Sequence, residues 1–164
     1  LSIRRQRQMC IRDRPVRGYI SCATHCPYEN FVNPKTVGQI SKDLFKMGCY
    51  EISLGDTTGK GTPEQTLEAV NECLKYLSAD KLAGHFHDTY QNALDNINVC
   101  LENGIKTFDS SVGGLGGCPY SPGAKGNVAT EKVNKLLLSK GYETNLDRVK
   151  LKECSVIAQK LILN

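Results

Sequence analysis

Asn33–Asp56 reads NPKTVGQISKDLFKMGCYEISLGD, and two periodicities meet inside it. Val37, Ile40, Leu44 and Phe45 recur at helical spacing, which predicts a helix over Pro34–Met47 with one apolar face. Asn33 is a good N-cap and Pro34 suits the first helical position, where a missing N–H costs nothing. Gly48 stands where a C′ glycine ends a helix. The run that follows, Tyr50–Leu54 (YEISL), is too short for a second helix and predicts a strand.

The same helix-then-strand unit recurs on either side. Gly18–Ala23 (GYISCA), Leu82–Phe86 (LAGHF) and Thr107–Val112 (TFDSSV) are further apolar runs. Pro63–Leu77 and Tyr90–Asn103 are helical patterns between them, the first carrying Leu67, Val70, Cys73 and Leu74 on one face behind a Thr62–Pro63 cap. Gly104 closes the second, and Val128–Ser139 and Leu146–Leu163 predict two more helices. Four strands alternating with helices imply an α/β fold with parallel strands and right-handed crossovers. Periodicity alone fits either a small open α/β domain or half of an eight-fold barrel.

At 164 residues, with 40% hydrophobic and 23% charged side chains, the chain can bury one core, which excludes collagen-like, disordered and coiled-coil classes. No apolar run approaches the roughly 18 residues of a membrane span, and the N-terminus lacks the apolar segment of a secretory signal, so no membrane partner is expected. The net charge of +4 is local. Residues 1–14 hold five arginines against Asp13 alone, and residues 15–164 balance 16 basic against 16 acidic side chains. A nucleic-acid partner is therefore not expected of the body. Arg4–Arg14, RRQRQMCIRDR, resembles the in-frame translation of a transposase adapter used to prepare sequencing libraries. Residues 1–14 are accordingly read as a non-native leader and 15–164 as the domain.

Eight cysteines without an export signal read as reduced thiols, most of them in apolar periodic segments. Cys22 and Cys26 lack the second pair that a structural zinc site needs.

Polar residues gather just after the apolar runs: Cys26, Asp56–Thr57, His85–Phe86–His87–Asp88, and Ser110–Ser111 with the loop beyond. Ligands bind at this carboxyl edge in both candidate architectures. His85 and His87 are one residue apart, so an extended backbone turns both rings to one side, where they could share an ion or simply cap a strand end. His25 lies at the exit of the first run. The loop Gly113–Gly126, GGLGGCPYSPGAKG, has six glycines around Cys118. It could be a plain surface turn or could present a reactive thiol at the catalytic edge. It lacks the Gly-Lys-Ser/Thr ending of a phosphate cradle. Asn127 follows it and could serve as an N-cap for the helix containing Glu131.

PVRGYISC, CPYE, MGCYEISLGDTTG, HFHDTYQNAL, DSSVGGLGGCPY and GNVATE together resemble the 3-hydroxy-3-methylglutaryl-CoA lyase family, most specifically at GLGGCPY, Gly114–Tyr120. The resemblance implies the C-terminal half, four βα units, of a TIM (β/α)8 barrel. It implies metal-dependent retro-Claisen cleavage of a small-molecule acyl-CoA thioester to acetoacetate and acetyl-CoA. His85, His87 and Asn127 would be ligands to a divalent metal, Mg²⁺ or Mn²⁺. Cys118 would be a loop thiol in proton transfer, Asp56 a base or relay beside the substrate hydroxyl, and Glu131 a support of the site. Tyr19 and Thr57 would contact substrate. The parent would be a homodimer, cytoplasmic in a bacterium or otherwise in the mitochondrial matrix. The family's first-strand aspartate ligand and arginine have no counterpart in this sequence, which leaves an inactive fragment as one expectation. A condensing synthase of the isopropylmalate or homocitrate type, which shares the histidines but not the Gly-Gly-Cys-Pro-Tyr loop, is another.

Overall fold

A strand leaves its backbone groups unsatisfied until it pairs, and four of the apolar runs pair with one another. In the computed structural model, which describes residues 14–117 and 126–162, the order is β1 (Val16–Ile20), a short hairpin of β2 (His25–Cys26) and β3 (Asn30–Phe31), α1 (Pro34–Lys46), β4 (Cys49–Asp56), α2 (Pro63–Leu74), β5 (Leu82–Phe86), α3 (Ala93–Glu102), β6 (Thr107–Asp109), α4 (Thr130–Ser139) and α5 (Arg148–Ile162). The sheet runs β1-β4-β5-β6, every pair parallel, as the alternation requires. None of these helices is long and apolar enough to cross a membrane.

The caps act as their chemistry predicts. The Asn33 side chain accepts from the Lys35 amide at 3.0 Å, ahead of Pro34. Thr62 and Gln65 form a reciprocal capping box ahead of α2. Gly48 and Gly104 take φ of +101° and +84°, where a side chain would be strained.

The alternation of side chains along each strand divides the sheet into two faces. Ile20, Ile52, Leu54, Leu82 and Phe86 turn toward the helices and join Val37, Val70, Ile97 and Ile105 in one core. Arg17, Tyr19, Glu51, Ser53, His85 and Asp109, all odd-numbered, turn to the other face and bond to one another. In a flat sheet β1 and β6 would lie about 14 Å apart, three intervals of about 4.8 Å. Arg17 of β1 nonetheless reaches Asp109 of β6 at 2.7 Å. The odd face is therefore concave, as the wall of a barrel is.

Several boundaries differ from the sequence reading. The first strand begins at Val16 and ends at Ile20, α2 ends at Leu74, and α3 begins at Ala93. The last run keeps strand geometry only to Asp109 and then turns through a short 3-10 segment, Val112–Gly114. The β2–β3 hairpin gives no periodic signal, because two-residue strands are too short to show one.

Candidate active site

The carboxyl end of β5 and the residues just past β6 meet a returning segment that begins at Gly126. Asp88 N–H donates to Gly126 O and Val128 N–H to Phe86 O, each at 3.0 Å, so residues 126–128 lie beside the end of β5. The bridge between His87 and Asn127 is part of this pairing. Gly126 holds φ at +94°, and a Cβ there would overlap the Gly116 carbonyl oxygen, so only glycine lets the two segments approach.

His85 and His87 have ring centroids 5.5 Å apart and planes tilted by 52°. His85 Nδ1 lies 3.2 Å from Asp109 Oδ2. His87 is 4% exposed, and its Nδ1 has no protein partner. Its pKa is lowered, first by burial and then by the neighbouring His85, which keeps the ring neutral and able to donate a lone pair. Asn127 Nδ2 donates to Leu115 O at 2.9 Å, so its carbonyl oxygen Oδ1 is the group left for a ligand. α4 takes Ala129 as its N-cap with no side-chain cap, so the alternative of Asn127 as a cap does not hold. Two imidazoles and one amide oxygen suit a divalent cation that accepts mixed nitrogen and oxygen donors. No group of three His, Cys, Asp or Glu side chains that could hold a metal converges among the described residues.

Asp56 is 1% exposed, and its parity is that of Ile52 and Leu54, away from the concave face. Its Oδ1 accepts from Thr58 Oγ1 and Gly59 N–H, and its Oδ2 from Gly61 N–H, at 2.8–3.0 Å. The carboxylate is thus hydrogen-bonded into the 58–61 turn. Thr57 Oγ1 donates to Ser21 O at 2.6 Å. Tyr19 is half exposed on the concave face, edge-on to His85. Glu131 accepts Gly113 N–H with both oxygens at 3.1 Å and so ties the start of the glycine-rich loop to α4. Burial raises its pKa, but bonds from Ser155 and the backbone lower it further, and it stays ionised. Cys118 lies outside the described residues. His25 sits in the hairpin, where burial and the charge of Lys60 lower its pKa.

Asp109 is a residue that motif reading passed over. Oδ1 accepts from Arg17 at 2.7 Å, and Oδ2 accepts from Tyr19 OH at 3.1 Å and Ser53 Oγ at 3.3 Å in addition to facing His85. Burial alone would raise its pKa, but the bonds from His85 and Arg17, with the Arg17 charge, hold it well below the usual carboxylate range. Its parity with His85 across the β5–β6 register is the sequence signal that could have found it.

The HMGL-like family profile matches residues 3–157. The hydroxymethylglutaryl-CoA lyase of Pseudomonas mevalonii is 52% identical over 132 residues, 80% of this chain and 44% of that protein. The solved HMG-CoA lyase of Brucella melitensis superposes with a TM-score of 0.91 at 47% identity, over 96% of this chain and 56% of that one. An HMG-CoA lyase of Acinetobacter baumannii, solved in complex with coenzyme A and 3-methylmalate, superposes at 0.79 with 34% identity, over 85% of this chain and 46% of that one. Relatives at 49–54% identity include bacterial, mitochondrial and cytoplasmic forms. The chain spans less than half the length of these curated relatives.

Proposed function

Because the chain belongs to the HMGL-like family, we propose that the protein carrying it is a hydroxymethylglutaryl-CoA lyase, which cleaves 3-hydroxy-3-methylglutaryl-CoA to acetoacetate and acetyl-CoA. The observation that supports this reading is the meeting of His85, His87 and Asn127 at the carboxyl edge of the sheet, with Asn127 bonded to Leu115 at the start of the glycine-rich loop. A synthase of the same chemistry would keep the histidines without that glycine-flanked cysteine.

In this reading His85, His87 and Asn127 hold a divalent metal, Mg²⁺ or Mn²⁺, which when bound polarises and orients the substrate's hydroxyl and carboxylate oxygens. A base takes the hydroxyl proton. The bond between the hydroxyl-bearing carbon and the thioester's α-carbon breaks, its electron pair passes into the acetyl-CoA enolate, and an acid protonates that carbon. Cys118 takes part in this proton transfer. Tyr19 contacts substrate from the floor of the concave face, and Thr57 does so from the end of β4. Glu131 supports the site by fixing Gly113, where the cysteine loop begins. Asp56 acts at one remove, by shaping the turn around Gly59 and Gly61.

The test uses the full-length protein, measuring thioester cleavage and metal content after dialysis. His85→Ala and His87→Ala should each lose bound metal and turnover, and His25→Ala should keep both. Full metal occupancy in the His87→Ala protein would overturn the ligand assignment. Retained metal with no thioester cleavage in the unsubstituted protein would overturn the lyase.

A further inference from the structure

We propose that Asp109 is a positioning residue that fixes His85 as a metal ligand, by holding the proton on Nδ1 and so leaving the lone pair on Nε2. This rests on the ligand reading above and goes beyond it to a residue that touches neither metal nor substrate. A neutral imidazole has one protonated nitrogen, and the hydrogen bond that each nitrogen makes decides which. His85 Nδ1 faces Asp109 Oδ2 at 3.2 Å. Asp109 accepts there, as it does on its other oxygen, to which Arg17 donates at 2.7 Å. Nδ1 must therefore donate, and Nε2 is the nitrogen free to ligate.

The geometry also fixes where that nitrogen points. His85 and Asp109 are register neighbours on β5 and β6. The carboxylate cannot swing away, since Oδ2 also accepts from Tyr19 OH at 3.1 Å and Ser53 Oγ at 3.3 Å. Arg17 is held in turn by Glu51 at 2.6 Å, through Nε. Side chains from the other three strands of the sheet thus converge on the β6 carboxylate, and that carboxylate touches one of the two histidines. A bond of this kind from outside the coordination sphere commonly contributes roughly 10- to 100-fold in metal affinity.

The competing role is purely structural, an ion pair that staples β1 to β6. Two measurements on the full-length protein separate the roles. The first is the protonation pattern of His85 in the metal-free protein, read by nitrogen-15 NMR of the imidazoles and assigned by the resonance lost in His85→Gln. Protonated Nδ1 is expected, and protonated Nε2 in the unsubstituted protein would overturn the proposal without any variant at Asp109. The second is Mn²⁺ affinity, read from the electron paramagnetic resonance of free Mn²⁺ and normalised to folded protein by circular dichroism. Asp109→Asn should weaken Mn²⁺ roughly 10- to 100-fold and mix the two His85 tautomers. Glu51→Gln breaks the other ion pair of the same cluster and should leave the affinity within about threefold, since it does not touch His85. Unchanged affinity and an unchanged tautomer in Asp109→Asn, with only a lower melting temperature, would reduce Asp109 to a staple. Should His85→Ala itself bind Mn²⁺ as the unsubstituted protein does, the ligand reading has failed instead.

Discussion

Asp56 shows how one step along a strand decides what a carboxylate does. Its place in LGDTTG, directly after an apolar run, is legible as the ligand-binding edge, but whether it faces the ligand depends on parity. Residues 52, 54 and 56 share the helix side of β4, and the carboxylate there finds two backbone N–H groups and a hydroxyl waiting for it. His85 and His87 were legible for the converse reason, because an x-separated pair keeps one parity whatever the register. Asp109 was not, because its meaning lies in residues 24 to 92 positions away that only pairing brings together. Asp56→Ala should therefore act on stability: each buried donor left without a partner costs about 1–3 kcal/mol, and three are stranded at once. We expect a loss of at least about 3 kcal/mol in urea unfolding of the full-length protein. A loss under about 1 kcal/mol would return Asp56 to the pool of candidate bases.

Among elements, the helices were readable because their signals are local. Asn33–Pro34 and Thr62–Pro63 start α1 and α2 by bonds that span two or three residues, and Gly48 and Gly104 reverse the chain at their ends. The segment 126–128 was not readable. Its three residues bond to residues 86 and 88, and nothing in their own order announces that. This segment nonetheless sets Asn127 beside His87, and Gly126 is what lets it pass under Gly116. Gly126→Ala puts a Cβ at positive φ and against the Gly116 carbonyl, which should cost at least about 2 kcal/mol. Because Asn127 moves with the segment, metal affinity and melting temperature should fall together. Asp109→Asn differs from it in losing affinity even per folded molecule. Full affinity and an unshifted melt in Gly126→Ala would mean that the segment does not need its close approach to Gly116.

At the scale of the whole molecule, the curvature that lets Arg17 reach Asp109 is not closed by this chain. Among the described residues β1 pairs only with β4 and β6 only with β5, so each keeps one row of backbone N–H and C=O groups without a strand beside it. Closed barrels have no such rows, and exposed edges are templates for pairing with another chain. Val16, Met47 and Tyr50, near the start of β1 and β4, add exposed apolar surface, with Met47 at 80%. A second copy meeting the first edge to edge would satisfy both rows at once and cover that surface. The 164-residue chain made by itself should therefore sediment as a dimer or larger species, and its thermal unfolding should move to higher temperature as concentration rises. The polar cluster on the concave face would remain intact in such a dimer, because it draws only on β1, β4, β5 and β6 of one chain. A monodisperse monomer with concentration-independent, cooperative melting would instead show a self-sufficient four-stranded domain, with edges protected by some device other than barrel closure.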